Sequence, residues 1–215
     1  MAQIFPRWTT RLPLLAAVVV VAVIVGGVGF FWYYGSPEYR NVGYRPSQPV
    51  AYSHKLHAGD LGIDCRYCHT SVEYSASAIV PPTQTCMNCH ELILTESEKL
   101  LPVRESWATG MPIEWVRVNK VADYAFFNHS AHINKGIGCK SCHGNVAQME
   151  KVMQVEPLSM GWCLECHRNP DPHLRPLDKI TDMKWQPGPD HAEFVERVKN
   201  EWKVDPPVDC SGCHR

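Results

Sequence analysis

The longest apolar run of the chain extends from Leu14 to Tyr34 and contains no charged residue. As a helix, its 21 residues would be about 31 Å long, which matches the roughly 30 Å of a bilayer core. Arg7 and Arg11 precede the run, and aromatic residues at positions 30–34 close it. Basic residues on one side and an aromatic belt on the other predict that the N-terminus lies inside and the bulk of the chain outside.

A cleaved signal peptide is the competing interpretation of this run. The apolar core of a signal peptide is usually about 7–15 residues long and is followed by a small-x-small cleavage site. The present run is longer and ends in bulky aromatic residues. We therefore expect an uncleaved membrane anchor at residues 1–36 and an exported domain at 37–215.

The pattern after the anchor predicts short elements. Proline and glycine, at 17 and 14 residues, are scattered along the chain and disfavour long regular elements. One longer helix is predicted from Pro189 to about Trp202, with Phe194, Val195 and Val198 on one face. The expected fold is mainly α with extensive coil.

Two further segments have weaker signals. Thr95-Glu-Ser-Glu98 has a capping-box pattern and predicts the start of a short helix, which Pro102 should end or kink. The alternation from Glu114 to Asn119 predicts a brief strand or an extended linker.

Bulk composition excludes several classes of protein. The 215 residues carry a formal net charge of -1 and are 45% hydrophobic. These values indicate neither a disordered chain nor a nucleic-acid-binding protein.

All ten cysteines lie in five units of the pattern C-x-x-C-H. The units are Cys65-Arg-Tyr-Cys68-His69, Cys86-Met-Asn-Cys89-His90, Cys139-Lys-Ser-Cys142-His143, Cys163-Leu-Glu-Cys166-His167 and Cys210-Ser-Gly-Cys213-His214. This spacing is the attachment signature of c-type haem, in which two thioethers hold the porphyrin and the adjacent histidine binds the iron. Zinc knuckles, redox dithiols and disulfides use cysteine pairs too, but they do not need a histidine after every pair. The sequence therefore predicts five covalently bound haem c groups, with these histidines as proximal iron ligands.

Six of the eleven histidines remain. Four of them form two H-x-x-H pairs, His54 with His57 and His129 with His132, and each pair precedes a C-x-x-C-H unit. A lone histidine is usually a surface or core residue, so the pairs are the better candidates for iron ligands.

The surroundings of the two pairs form an internal repeat. Tyr-Ser-His54 corresponds to Phe-Asn-His129, and Gly62-Ile-Asp-Cys65 corresponds to Gly136-Ile-Gly-Cys139, with offsets of 74 to 77 residues along the repeat. The repeat predicts a duplicated fold of two two-haem modules. The modules are placed at 50–92 and 125–170, with a linker at 93–124 and a fifth-haem segment at 171–215.

Residues i and i+3 of a helical turn project from nearly the same face, so two imidazoles at this spacing can reach two neighbouring irons. The H-x-x-H segments resemble those of small three-haem and four-haem cytochromes of the class III or c7 type. The resemblance implies that the first histidine serves the nearest haem and the second serves the next. His54 and His57 are thereby assigned to the haems at Cys65 and Cys86, and His129 and His132 to those at Cys139 and Cys163.

The haem at Cys210 needs a sixth ligand from elsewhere. Met183 and His173 are the leading candidates, with a slight preference for Met183, and His191 and Met160 are less favoured. A methionine ligand would raise the potential of this haem. After the anchor, about 36 residues per haem remain, too few for an ordinary core, so the porphyrins should supply much of the buried apolar surface.

Three stretches have a more specific resemblance. Phe127-Asn-His-Ser-Ala-His132, Ile137-Gly-Cys-Lys-Ser-Cys-His143 and Pro157-Leu-Ser-Met-Gly-Trp-Cys-Leu-Glu-Cys-His167 resemble the pentahaem subunit of alternative complex III, a quinol-oxidising respiratory complex. The resemblance implies an electron-transfer subunit that is not itself a catalyst. Its implied partners are an iron–sulfur subunit, a polytopic quinol-binding subunit, a monohaem cytochrome c and a terminal oxidase. The implied location is the bacterial cytoplasmic membrane, with the haem domain in the periplasm.

Three alternatives come from other classes. A multihaem reductase such as nitrite reductase needs an iron with an open coordination position. A membrane-anchored tetrahaem quinol dehydrogenase needs a quinone site, which one helix cannot enclose. Haem storage, or a scaffold for assembly, is the third. Strong binding of carbon monoxide to the reduced protein would favour the reductase.

Overall fold

A computed structural model describes residues 4–214. It divides between Asn41 and Val42 into two compact units. In the first unit, a 3-10 turn at Arg7–Arg11 leads into helix α1 at Leu12–Gly35, and a short helix α2 follows at Pro37–Asn41.

Helix α1 contains the predicted apolar run. It buries no side chain within the chain. The continuous helical stretch Arg7–Gly35 contains an 18-residue window with a mean hydropathy of 2.8. Among the described residues, it is the one helix long and apolar enough to cross a membrane. Length and composition are the basis of this finding, which a signal sequence would also satisfy.

The second unit consists of short helices joined by irregular chain. Its α-helices are α3 at Cys65–Cys68, α4 at Thr83–His90, α5 at Leu101–Thr109, α6 at His129–Ile133, α7 at Lys140–His143, α8 at Met160–Arg168, α9 at His191–Glu201 and α10 at Cys210–Cys213. A π-helical segment spans Lys55–Asp60, and 3-10 turns lie at Glu98–Leu100, Val146–Gln148, Asp171–His173 and Leu177–Lys179. Extended pairing within the described residues is limited to isolated bridges, Ala125 with His214 and Ile137 with Leu174. The prediction of a mainly α fold with extensive coil is confirmed.

Among the described residues of this unit, buried apolar side chains form three small clusters. The buried members are Val50, Met87 and Val103 in the first cluster, Val72, Ile133 and Ile180 in the second, and Leu174, Val195 and Val198 in the third. Cys86 packs against the first cluster and Cys139 against the second. Two of the clusters therefore lie directly beside C-x-x-C-H units.

The helix predicted near the C-terminus is α9. Asp190 precedes it, and Phe194 and Trp202 pack around its buried residues Val195 and Val198 in the third cluster. The prediction of this helix and of its apolar face is confirmed, with bounds one or two residues tighter than expected.

The prediction for Pro102 is wrong. The chain forms a 3-10 turn at Glu98–Leu100 and then α5, in whose first turn Pro102 lies. A proline in the first turn loses no intrahelical hydrogen bond, because the first N–H groups of a helix have no partner there. Pro102 thus starts a helix instead of ending one.

The segment from Glu114 to Asn119 is extended and forms no strand in the described chain. The Gln48 side chain pairs with its backbone: Nε2 donates to Val116 O at 2.7 Å, and Val116 N donates to Oε1 at 2.9 Å. Of the two predicted alternatives, the extended linker is therefore correct.

Candidate haem-binding motifs

Every C-x-x-C-H unit lies on a short helix or extends one residue beyond it. Polar residues start several of these helices: Asp64 accepts from Arg66 N at 2.8 Å, Ser159 from Trp162 N at 3.3 Å, and Asp209 from Gly212 N at 3.0 Å. Such caps satisfy N–H groups that the first turn leaves without partners. None of the ten cysteines is in a disulfide.

The structure places imidazole rings opposite each other at three of the five units. The ring centres of His57 and His90 are 6.2 Å apart, those of His129 and His143 are 6.4 Å apart, and those of His132 and His167 are 6.0 Å apart. In each pair, a histidine of an H-x-x-H segment faces the histidine of the unit to which the sequence assigns it.

These separations fit a metal ion between the rings. A metal bonds an imidazole nitrogen at about 2 Å, and the ring centre lies about 1.1 Å behind that nitrogen when the ring bonds are about 1.33 Å long. Two imidazoles on opposite sides of one metal therefore have centres about 6.2 Å apart. The residues present thus fit six-coordinate haem iron.

Most of these histidines also bond a backbone carbonyl through Nδ1. The acceptors are Ser53 for His57, Ile79 for His69, Ile93 for His90, Ala76 for His129, Asn128 for His132, Pro207 for His167 and Tyr124 for His214, at distances from 2.7 to 3.1 Å. A carbonyl only accepts, so the proton is on Nδ1 and the lone pair of Nε2 is free for a metal.

His54 differs from the other histidines. Burial, together with the neighbouring imidazoles of His69, His57 and His143, lowers its pKa to about 4. Its Nδ1 is buried and has no hydrogen-bond partner. His54 is therefore near its assigned partner His69, but it lacks the carbonyl acceptor that the other assigned distal histidines have.

Burial favours the neutral form of three of the paired histidines, His129, His132 and His143. It lowers the pKa of His143 to about 4, and it lowers the pKa values of His129 and His132 although hydrogen bonds to Ala76 and Asn128 act in the opposite direction. Neutral imidazole is the form that binds metals.

The two predicted modules meet at the thiols of Cys65 and Cys139. The Cys139 thiol donates a hydrogen bond to Cys65, which raises the pKa of Cys139 and lowers that of Cys65. The first attachment cysteines of the two modules are thus in direct contact.

Thiols of other units interact electrostatically. In each case burial raises the pKa of one thiol and the thiol of another unit raises it further; the pairs are Cys68 with Cys86, Cys142 with Cys166 and Cys163 with Cys213. Together with the Cys65 contact, these interactions connect the units at Cys86, Cys65, Cys139, Cys163 and Cys210 in that order.

The fifth unit is held by the segment before α6. Phe126 N donates to Cys213 O at 2.7 Å, and Ala125 forms a bridge with His214. Of the candidates for a sixth ligand, His191 uses Nε2 in a 2.9 Å hydrogen bond with Leu174 O, which leaves no free Nε2 for iron. Met183 and His173 are half-buried, and Met160 is 66% exposed. The choice of Met183, with His173 as its alternative, stays a prediction.

Part of the chain matches a known protein family. Residues 125–215 match the family described as cytochrome c7 and related cytochrome c. The matched segment lies within the second unit and includes the C-x-x-C-H units at Cys139, Cys163 and Cys210. The chain is also 28% identical over 175 residues to a protein of Nitratidesulfovibrio vulgaris (strain Hildenborough) named menaquinone reductase, multiheme cytochrome c subunit. That similarity covers 72% of this chain and 81% of the relative.

Two aromatic residues of the repeat contact the H-x-x-H histidines, a role that the sequence did not reveal. Tyr52 stacks on His57 with ring centres 4.4 Å apart, and Phe127 lies on His132 at 4.5 Å. The same two rings stand edge-on to His54 at 4.8 Å and to His129 at 4.7 Å. Both aromatics occupy the same position of the internal repeat, two residues before an H-x-x-H pair, and this correspondence was the available signal.

Proposed function

We propose that the chain is a five-haem electron-transfer subunit of a membrane-bound quinone oxidoreductase. The observation that carries this proposal is the set of three facing imidazole pairs, whose ring centres are 6.0 to 6.4 Å apart. Haem iron held in this way supplies a one-electron couple.

In this proposal, each chain segment has a defined role. The cysteine pairs bind haem through thioethers, and His69, His90, His143, His167 and His214 are the proximal ligands. His54, His57, His129 and His132 are the distal ligands of the haems at Cys65, Cys86, Cys139 and Cys163, in that order. Met183, or alternatively His173, completes the site at Cys210.

The arrangement of the units supports a relay. Electrostatic interactions between thiols, and the hydrogen bond between Cys139 and Cys65, connect consecutive units from the one at Cys86 to the one at Cys210. The short helices thereby hold neighbouring attachment sites close together, which favours electron transfer from one end of the row to the other. The two modules exchange electrons where Cys65 meets Cys139.

The same geometry argues against a catalytic subunit. A histidine on each side of the iron closes both axial positions, and reduction of a bound substrate needs one of them open. Three units have such facing pairs, and burial of His54 beside His69 supports a fourth. We therefore propose that the chain relays electrons and that partner subunits carry the chemistry of the quinone.

Two candidate complexes differ in the direction of electron flow. The resemblance of the motifs to the pentahaem subunit of alternative complex III favours flow from quinol, through an iron–sulfur subunit, to a periplasmic cytochrome or oxidase. The relative named menaquinone reductase subunit favours flow toward the quinone. In both cases α1 is proposed to anchor the chain in the cytoplasmic membrane, with the haem domain on the periplasmic side.

Purification from native membranes tests this proposal. A C-terminally tagged chain should copurify with an iron–sulfur subunit and a polytopic membrane subunit, and haem absorbance should respond to a quinone couple. Reduction of oxidised haems by quinol supports the first direction, and oxidation of reduced haems by menaquinone supports the second. Isolation of the haem-loaded chain alone, without electron exchange with either form, would contradict the proposal.

A further inference from the structure

Arg175 is a buried cation that the relay described above does not use. Only 5% of Arg175 is exposed. Its Nη1 donates to the backbone oxygens of Asp182 at 3.2 Å and Lys179 at 3.5 Å. The guanidinium carbon lies 4.7 Å from the ring centre of Trp185, and Nε is buried without a partner.

The charge of Arg175 is not neutralised by a contacting carboxylate. No ion pair involves Arg175 within the part of the chain that the structure describes. The nearby Asp182 carboxylate caps its own turn, accepting from Lys184 N at 2.9 Å and Trp185 N at 3.1 Å. Arginine stays protonated in proteins, so a positive charge is held in a place where solvent screens it little.

This charge lies against the attachment site at Cys139. A Cβ atom built on Gly138, the residue before Cys139, would be 2.3 Å from Cζ and Nε of Arg175. The guanidinium therefore packs on the glycine backbone itself. Arg175 also acts electrostatically on the Cys139 thiol, so the two groups are neighbours.

The equivalent place in the first module has a different charge. The repeat aligns Gly138 with Asp64, whose carboxylate is 3.0 Å from Arg66 Nε and accepts from Thr181 Oγ1 at 2.7 Å. On the Cys65 side of the junction, Arg66 is paired with Asp64 and also with Glu73 at 3.2 Å, whereas Arg175 on the Cys139 side has no ion pair among the described residues. Since Cys65 and Cys139 are in contact, the two environments are adjacent.

We propose that Arg175 tunes the junction between the modules, holding the reduction potential of the haem at Cys139 above that of the haem at Cys65. This inference rests on the haem attachment given under the proposed function. One electron added to a ferric haem, with no proton, lowers its charge by one, so a fixed positive neighbour favours the reduced state. The asymmetry would favour the electron on the Cys139 side.

Redox titration of the full, haem-loaded chain tests this inference. The couple at Cys139 is first identified as the one that a His129→Met variant displaces. In Arg175→Gln, we expect its midpoint potential to fall by about 59 mV, which is a tenfold change in the equilibrium of a one-electron couple. Arg175→Lys keeps the charge and should restore most of the wild-type value.

Lys179→Gln is the matched control, because it removes a cation from the same segment. The side chain of Lys179 is 45% exposed. The variant should leave the midpoint near that of the wild type, since solvent screens the charge of Lys179. An unchanged midpoint in Arg175→Gln, or an equal fall in Arg175→Lys, would overturn the inference.

A second variant covers the case in which Arg175→Gln does not retain its haems. Asp64→Asn removes one of the two carboxylates paired with Arg66, the other being Glu73, so the local charge becomes more positive and the couple at Cys65 should rise toward that at Cys139. An unchanged gap between the two couples would contradict the proposed charge asymmetry. Absence of haem from the wild-type chain would instead defeat the proposed function, so the two failures are distinguishable.

Discussion

The imidazole rings of His129 and His143 face each other almost in parallel, with 7° between their planes. His57 and His90 face each other at a similar distance but with 65° between their planes. The two imidazole pairs thus differ in ring orientation. Because hydrogen bonds from Nδ1 to the distant Ala76 and the nearby Ser53 orient the distal rings, the difference is built into the backbone.

The first prediction concerns the effect of ring orientation on the electron paramagnetic resonance spectrum of the oxidised, haem-loaded chain. Parallel axial imidazoles split the iron d orbitals strongly and give a rhombic low-spin spectrum, whereas nearly perpendicular rings give a larger maximum g value. We expect a rhombic signal that His129→Met removes and a large-g signal that His57→Met removes. The reverse assignment would contradict the ring geometry.

Replacement of a distal ligand gives a second prediction. His57→Met should raise the potential of the haem at Cys86 and introduce the near-infrared band of methionine-sulfur ligation in magnetic circular dichroism. The haem at Cys65 should keep its spectrum, because His54 remains. A change at Cys65 with Cys86 unaltered would mean that the two histidines are assigned the wrong way round.

The third cluster predicts a stability difference between two leucines. Leu174 is fully buried, at 0% exposure, whereas Leu177 is 44% exposed. Leu174→Ala should lower the free energy of unfolding of the haem-loaded chain by about 2–5 kcal/mol, and Leu177→Ala by less than about 0.5 kcal/mol. Denaturant titration followed by tryptophan fluorescence measures both. Equal effects would contradict the packing of Leu174 against Val195 and Val198.

Asp64 predicts a pH-dependent contribution to stability. Burial alone would raise the pKa of Asp64, but hydrogen bonds from Arg66 and Thr181 outweigh it and lower the pKa. Because the pKa of Asp64 is lower in the folded chain, ionised Asp64 stabilises the fold. This stabilisation is complete above the pKa of the unfolded chain, about 3.9, and is lost as the pH falls through the pKa of the folded chain.

The measurement for Asp64 is urea unfolding at two pH values. Asp64→Asn should cost up to about 1 kcal/mol at pH 7, the scale of a partly exposed ion pair. Below the folded pKa of Asp64, the variant and the wild type should unfold alike. A cost that stays constant with pH would show that the Asp64 charge makes no contribution.

Most features that the sequence could predict depend on residues only a few positions apart. The helical turns at His54–His57 and His129–His132, and the short helices at each C-x-x-C-H unit, depend on neighbours within a few residues. The facing pairs follow from the same spacing, although the assignment of iron ligands stays a prediction.

Long-range contacts could not be predicted. The carbonyl acceptors of His129, His167 and His214 are 53, 40 and 90 residues away along the chain, and no local pattern identifies them. The burial of Arg175 against Gly138 is of the same kind. The prediction for Pro102 was wrong for a different reason. Proline can either start or end a helix, and the sequence alone did not distinguish the two.

The mass of the purified, denatured chain tests the central claim most directly. Covalent attachment at five units predicts the mass of the polypeptide plus five haem groups, and the chain should keep its Soret absorbance after denaturing electrophoresis. A mass that corresponds to the polypeptide alone, or to the polypeptide with its cysteines joined as disulfides, would contradict the account.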